Sequence, residues 1–353
     1  MISSRPPQLI LVYESEATCR QNLQRSGFDD RAALEISSYL AQSMDIAPEF
    51  DALAGACHAR GMDFLPVELD DLTERIAGCD PKSTVVWTLT DGIAYFRGSA
   101  APALAALGDN FIFGSDWPLC ALAQDKFRSG AVLRALGLPC PPAGLARDGE
   151  WIVPPPPSVT GWFVKPNRLG AKIGIWSDSH VDDATRALEL SRRVFSAYRD
   201  DVVVQPYVGG RNVRASFLGV KPDSGVDALG CAFVDSGADF QTMEDSLALY
   251  GRTGEAAKAD GSYAEPILRA VGEDMPQADY AMRQITSKMM IGLGLRDVFS
   301  VDLRVEADGA LHLIEFEVCP GLRCFDFRDY CRRQWNMTLP EAMAQAAWSR
   351  LRR

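Results

Sequence analysis

The chain has 353 residues, 47% apolar and 24% charged, and its 36 basic and 47 acidic side chains leave a net charge of −11. That length is too great for one ordinary domain and suits two or three packed lobes, while the composition excludes a disordered chain, a collagen-like repeat and a coiled coil. No window approaches the roughly 18 apolar residues of a membrane helix, and the acidic balance argues against general nucleic-acid binding, which needs a basic field, though not against a local basic cleft for a phosphate ligand.

The opening MISSRPPQLILVYES runs straight into a strand-like segment without the charged start and cleavage site of a signal peptide, so a cytoplasmic chain is expected. QLILVY (8–13) reads as a buried strand, RAALEISSYLAQSM (31–44) and EFDALAGACHARGM (49–62) as helices, and MDFLPVEL and STVVWTL (83–89) as further strands. This strand–helix alternation predicts an α/β lobe with a parallel sheet. SAAPALAALGDNFIFGSD then gives a helix, a short strand and a Gly-Ser turn, and DKFRSGAVLRALGLPCPPA a helix ended by Gly137 and Pro139. DGEWIVPPPPSVTGW, with four consecutive prolines at 154–157, reads as a stiff surface connector. GWFVKP (161–166) and DVVVQPYV (201–208) are predicted strands flanking the helix DDATRALELSRRVFSAY, and residues 210–235 alternate in strand fashion.

From Ser236 to about Tyr263 the chain is polar and rich in Gly and Ala, a length of loop that inside a compact domain usually serves as a lid or is disordered. ADYAMRQITSKMMIGLGL is a helix closed by glycines, DVFSVDLRVE–DG–ALHLIEFE a hairpin with a DG turn, and LPEAMAQAAWSRLRR a last helix. The nine cysteines are scattered with no CxxC pair, as expected of reduced thiols that mostly fill core. With three histidines in the chain, neither a zinc site nor a Ser-His-Asp triad is expected; His312, alternating within LHLIEFE, reads as structural.

The chemistry concentrates in the last hairpin. Glu315 and Glu317, two apart on one strand, project to the same face, and the DG turn brings Asp302 of the partner strand to the same side. Three converging carboxylates repel unless something positive sits among them, and hard oxygen ligands suit Mg²⁺ bridging to phosphates; the alternative is a solvated acidic face of an amphipathic hairpin. A second constellation is VKPNRLGAKIGI (164–175), where a strand delivers Lys165 into a Gly-containing basic loop with Arg168, Gly170, Lys172 and Gly174. Backbone amides and cations there can hold phosphates, although the loop is neither a Walker A sequence nor GxGxxG, and a basic turn is most often just a turn. The third is VVVQPYVGGRNVR (202–214), an apolar strand entering a two-glycine turn, able to line an adenine pocket or simply to form a hairpin.

In order and spacing the three motifs together resemble the ATP-grasp superfamily, most closely its D-alanine–D-alanine ligase branch. Asp302…Glu315-x-Glu317…Pro320-Gly321 resembles that family's Asp…Glu-x-Asn…Pro-Gly metal signature, GWFVKPNRLGAKIGI its strand and triphosphate loop, and VVVQPYVGGRNV its hinge strand. FIFGSDWPLCALAQDKFRSGAVLRALGLPCPPA resembles its Gly-Ser…Ala-Leu…Asp-Lys…Gly-Leu-Pro segment, so the likeness runs from about residue 110 to 327. The resemblance implies a three-lobe α/β enzyme: an N-terminal α/β substrate lobe over 1–122, a central lobe with the phosphate loop over 123–206, and a C-terminal lobe with metal site and lid over 207–353. It implies ATP held by Lys126, Lys165, Gly170, Gly174, Gln205, Tyr207, Val208 and Asn212, the last where the family usually has a ribose-binding Glu. It further implies one or two Mg²⁺ ions, replaceable by Mn²⁺, on Asp302, Glu315 and Glu317, and small amino-acid-like substrates joined through an acyl phosphate. A homodimer is common in this branch; neither nucleic acid nor membrane is an expected partner.

The departures bear on substrate. Where the cell-wall dipeptide ligases place an Arg two residues before the metal Asp, this chain has Ser300; Arg304, two residues after it, is the candidate to substitute. The paired Ser of the phosphate loop is replaced by Ala171-Lys172, making Lys172 a candidate catalytic cation, and the metal Asn is replaced by Glu317. After Pro-Gly comes LRCFDFRDY, whose Arg323 and Arg328 can clamp a substrate carboxylate or pair locally with Asp326 or Asp329. Glu14, Glu16 and Glu35 are candidates for the family's amine-binding Glu, Asp91 and Gly92 sit where α/β sheets place ligands, and Arg252 or Lys258 is the candidate lid cation. The expectation is an amide- or peptide-forming ligase for amino acids other than the D-Ala pair, in specialised metabolism. The alternatives are D-alanine–D-alanine ligase proper, a non-catalytic ATP-binding regulator, and an ATP-grasp kinase or acyl-CoA-type enzyme.

Overall fold

The computed structural model describes residues 6–90, 97–234, 240, 242–243 and 268–352. Its first sheet is parallel, in the order β2-β1-β3-β4, from β1 (Gln8–Tyr13), β2 (Asp63–Glu68), β3 (Thr84–Thr88) and β4 (Phe111–Phe113). Leu9 to Val12 are completely buried because helices cover both faces of β1, which is why QLILVY is a continuous apolar run and not an alternating one. The helices are α1 (Glu16–Arg25), α2 (Asp30–Met44), α3 (Phe50–His58), α4 (Leu72–Ala77) and α5 (Ala100–Leu107). Ser15 and Asp29 cap the first two, each side chain accepting a backbone N–H of the opening turn. Next come α6 (Trp117–Ala123) and α7 (Lys126–Ala135), capped by Asp116 and Asp125. Leu119 and Leu133 of this pair join the core of the C-terminal sheet.

The central sheet has the order β6-β5-β9-β7-β8, formed by β5 (Gly144–Arg147), β6 (Glu150–Val153), β7 (Trp162–Pro166), β8 (His180–Val181) and β9 (Val202–Pro206). The expected connector DGEWIV is therefore in part a strand. Asp148 and Gly149, at φ +47 and +80, make the tight turn that a right-twisted hairpin favours, and β-prone EWIV pairs with β5 before the proline run ends it. Helix α8 (Ala184–Tyr198) covers this sheet, and its Ala187, Leu190 and Val194 share a core with Leu23 and Ile36 of α1 and α2.

The third sheet, β11-β10-β12-β13, is antiparallel, built from β10 (Arg211–Leu218), β11 (Gly230–Phe233), β12 (Val298–Val305) and β13 (Leu311–Glu317). Phe299, Val301, Leu303 and Val305 point from β12 into the core. There they meet Met282 and Met289 of α10 (Pro276–Leu293), which follows the short α9 (Val271–Asp274). The opposite face of β12, carrying Ser300, Asp302 and Arg304, is left for the site. After α11 (Phe325–Tyr330), the chain returns to its beginning. Helix α12 (Leu339–Arg350) opens on a Thr338–Glu341 capping box, and Ala342, Met343, Ala346 and Ala347 bury against Leu9, Leu53 and Trp87 of the N-terminal lobe. Small alanines let the helix sit close, and burial of Met343 alone contributes about 2 kcal/mol. Among the described residues, no helix is long and apolar enough to cross a membrane.

Candidate active site

Two lysines enter the site from different elements. Lys126 is the first residue of α7, where its N–H donates to the carbonyl of Asn167 (3.0 Å) while the Asn167 side-chain oxygen accepts from Phe127 N–H (2.9 Å). Asn167, 1% exposed, thus ties the start of α7 to the end of β7. Lys165 lies inside β7, opposite Val203 of β9, with 4% of its surface exposed. The ammonium groups converge on one carboxylate oxygen, Glu315 Oε2, at 3.6 Å from Lys126 and 3.7 Å from Lys165. Arg168, the next cation along this segment, faces Asp125, Asp200 and Asp201 at 3.7–3.9 Å.

Across β12 and β13, Asp302 stands opposite Glu315 and Ser300 opposite Glu317, with a register shift between Asp302 and Leu303. Asp302, Glu315 and Glu317 each bring an oxygen within 4.8 Å of the other two. The crowd has a resident cation that the sequence reading missed: Arg214 of β10, the cross-strand partner of Asp302. Its Nε and Nη2 donate to the two Asp302 oxygens at 2.8 and 3.0 Å, its Nη1 to Asp326 at 3.5 Å, and Glu317 lies 3.8 Å away. The available signal was an arginine two residues after Asn212, and so on the same face of β10.

The electrostatics follow from this packing. Burial pushes Glu315 upward, but Lys126, Lys165 and Arg214 outweigh it and hold the carboxyl at about 2. Burial raises Glu317 to about 7, with Asp302 and Glu315 adding to the rise against Arg214 and the Ser300 hydroxyl. Burial lowers Lys165, and Glu315 opposes it. Glu315 Oε2 is buried and accepts no hydrogen bond, its nearest cations being the two ammonium groups at 3.6 and 3.7 Å. That orphaned oxygen and the all-oxygen donor set fit a hard divalent cation.

The predicted nucleotide end of the cleft gathers around Tyr207. Its N–H donates to Gly161, its ring stacks on His180 with centroids 3.9 Å apart, and Phe163 and Phe240 flank it. Gln205 is buried beside Phe163, Val208 is half-buried, and Asn212 faces Arg304 across the strands. Arg304, the expected substitute for the missing arginine, points here instead. It donates to the Gly210 carbonyl at 2.6 Å and lies over the Tyr207 ring at 5.5 Å. In the phosphate loop, Ala171 and Lys172 hold left-handed backbone at φ +51 and +62, and Gly174 does so at +74. Gly170 N-terminal to them has open space beside it. The loop docks on Met243, whose N–H donates to Ile175 and whose sulfur accepts from Gly174 N–H.

The expected substrate residues disperse. Glu14 sits at the end of β1, 6% exposed, accepting from Asn22 at 2.9 Å with Arg97 3.8 Å away; burial raises its pKa against both partners. Glu16 is exposed and accepts from Ser38, while Glu35 accepts from the Tyr198 hydroxyl at 3.0 Å, joining α2 to α8. Arg323 donates to the Asp45 carbonyl at 2.8 Å and Arg328 to Glu49 at 2.6 Å, so both tie the segment after Pro320-Gly321 to the N-terminal lobe. Asp326, expected as a local partner, instead faces Arg214, and Asp329 pairs with Arg333. Asp91, Gly92, Arg252 and Lys258 lie outside the described residues. His312 pairs with Glu306 at 2.7 Å, away from this cluster.

No family model matches the chain. A putative D-alanine–D-lactate ligase of Streptomyces coelicolor is 26% identical over 213 residues, a match spanning 60% of this chain and 56% of that protein. A D-alanine–D-alanine ligase of an Anaeromyxobacter strain is 28% identical over 283 residues, 77% of this chain and 80% of the relative. The ATP-complexed crystal structure of the Bacillus anthracis D-alanine–D-alanine ligase superposes with a TM-score of 0.59 at 14% identity, covering 98% of both chains.

Proposed function

We propose that this chain, whose fold is that of the D-alanine–D-alanine ligases, is an ATP- and Mg²⁺-dependent carboxylate–amine ligase of the ATP-grasp type acting on amino acids other than the D-Ala pair. The observation that carries this reading is the convergence of Lys126 and Lys165 on Glu315, beside Asp302 and Glu317, where two sheets meet. An acyl-donor carboxylate attacks the γ-phosphorus of ATP, the bond to the β-phosphate oxygen breaks, and ADP leaves with its electrons. The amine of the second substrate then attacks the acyl carbon; a C–N bond forms, inorganic phosphate departs, and the amine loses a proton.

Both steps move negative charge, so positioned cations and exclusion of water are what the protein must supply. Lys126 and Lys165 are placed to pair with phosphate oxygens, while Gln205, Tyr207, Val208 and Asn212 border the base and sugar. Asp302, Glu315 and Glu317 would hold Mg²⁺, which when bound supplies Lewis-acid neutralisation of phosphate charge. The buried side chain of Glu14 suits the amine of one substrate, and Lys172, on the loop assigned to the phosphates, is the candidate catalytic cation.

Against the D-Ala pair stand Ser300, Glu317 and Ala171-Lys172, each of a different charge or reach from the residue that the dipeptide ligases use. The test is ATP-dependent phosphate release across a panel of amino-acid pairs, with mass spectrometry of the products. An amide product that disappears in Glu315→Gln supports the proposal and names the substrates. Turnover of D-alanine alone would return the chain to the cell-wall dipeptide reaction, and a phosphorylated product without an amide would make it a kinase.

A further inference from the structure

The site face of β12 carries Ser300, where the dipeptide ligases have an arginine, and Ser300 is fully buried with its hydroxyl spent on Glu317 at 2.9 Å. Arg304, on the same face, is committed to Gly210 and Tyr207. The guanidinium that does reach the carboxylate triad comes from the neighbouring strand, at Arg214, in register with Asp302. Three acidic side chains fix it: Asp302 through two hydrogen bonds, Asp326 at 3.5 Å and Glu317 at 3.8 Å. Asp326 is 6% exposed and lies on α11, so the arginine is braced from a helix as well as from the sheet. An arginine offers five N–H donors in a rigid fork. Asp302 and Asp326 engage three of them here, one each on Nε, Nη1 and Nη2. Two N–H groups remain, on a side chain that is 22% exposed and held by Asp302, a neighbour of Glu315 in the carboxylate triad.

Building on the ligase reading, we propose that Arg214 is a catalytic residue, the guanidinium that stabilises negative charge on the transferring phosphoryl group and on the acyl oxygen. Its bidentate hold on Asp302 removes the freedom a long side chain would otherwise have, so the remaining donors are preorganised toward the charge that develops. The acidic Glu317 fits the same rearrangement. It replaces a neutral side chain of the related ligases, and an added cation offsets the added anion at 3.8 Å.

The test compares wild type with Arg214→Met and Arg214→Lys in three measurements. These are the affinity for ATP with Mg²⁺, the affinity for ADP with Mg²⁺ and aluminium fluoride as a mimic of the transferring phosphoryl group, and kcat and KM with the first productive amino-acid pair. Arg214→Met is expected to keep ATP affinity within about 3-fold, to lose about 10²–10³-fold in kcat, and to lose a comparable factor for the mimic. Arg214→Lys keeps the charge without the fork and is expected to fall at least about 10-fold in kcat. Wild-type turnover in Arg214→Lys overturns the proposal even if Arg214→Met fails to fold. So does a loss of ATP·Mg²⁺ affinity in Arg214→Met equal to the loss in kcat, which would make Arg214 only a brace for Asp302. If wild type ligates no pair, the ligase reading is what fails, and the mimic alone then decides on Arg214: equal affinity in wild type and Arg214→Met, or no gain over ADP in wild type, overturns it.

Discussion

Glu315→Gln separates the electrostatic work of the site from its chemistry. In the protein, Glu315 Oε2 lies 3.6 and 3.7 Å from two ammonium groups, one of them on a lysine that is 4% exposed. At an effective dielectric of about 20, each such pair is worth roughly 4–5 kcal/mol before the desolvation of the carboxylate is subtracted. Removing one partner of a buried pair leaves the other charge uncompensated and costs about 3–5 kcal/mol. Arg214 and the remaining carboxylates keep some field at the site, so a loss of about 2–4 kcal/mol in unfolding free energy is expected, read by urea titration of the nucleotide-free protein. The same reasoning sets the response to ATP without metal. Phosphate oxygens replace the missing negative charge beside Lys126 and Lys165, so metal-free ATP is expected to raise the midpoint of Glu315→Gln more than that of wild type, through the ordinary linkage of binding to stability. Amide formation with Mg²⁺ is expected to vanish. A variant as stable as wild type, with the same response to metal-free ATP, would refute the idea that Glu315 balances these lysines.

Three further outcomes test other parts of the fold. Gly174→Ala places a Cβ 2.6 Å from Pro166 Cγ on a backbone at φ +74 and is expected to cost more than about 1 kcal/mol and to weaken ATP binding, whereas Gly170→Ala, with open space beside it, should change stability by under about 0.5 kcal/mol. Arg328→Ala should lose about 1–3 kcal/mol of stability and couple to Glu49→Ala in a double-mutant cycle; a raised KM with additive stabilities would make Arg328 a substrate clamp instead. Asp200 is pushed up by burial to about 6 despite Arg168 and Lys126. A raised carboxyl binds its proton more tightly when folded, so stability falls as pH rises from about 4 to 6 and is level above. Asp200→Asn should remove up to roughly 2 kcal/mol of that pH dependence in urea titrations between pH 4.5 and 8, and an unchanged pH dependence would contradict it.

The parts of this molecule that depend on local periodicity were legible in the residues. A two-residue repeat and a DG turn are enough to bring Asp302, Glu315 and Glu317 together, because a hairpin fixes its own register. The Asp148-Gly149 turn carried the same signal, and the proline run beside it masked a short strand. What stayed hidden depends on contacts between distant segments. Arg214 faces Asp302 only because β10 pairs with β12, 88 residues on. Arg323 and Arg328 could be read as a carboxylate clamp, since nothing in LRCFDFRDY announces that Asp45 and Glu49 lie opposite. The last helix likewise belongs in space to the first lobe, where it covers Leu9 and Trp87.

Charge balance ties the acidic residue at 317 to Arg214. Asp302, Glu315, Glu317 and Asp326 meet Lys126, Lys165 and Arg214. An acidic residue at 317 without a nearby cation would leave a second buried anion next to Asp302, which burial and repulsion would protonate. An arginine at 300 would have to share the oxygens of Glu317 that Ser300 now holds with a single hydroxyl. A guanidinium on β10, as at Arg214, meets both demands. On the proposed ligase reading, Ser300→Arg alone should leave a surplus of positive charge beside Arg214 and lower kcat for whichever amino-acid pair the wild type joins; unchanged kcat would contradict this charge balance.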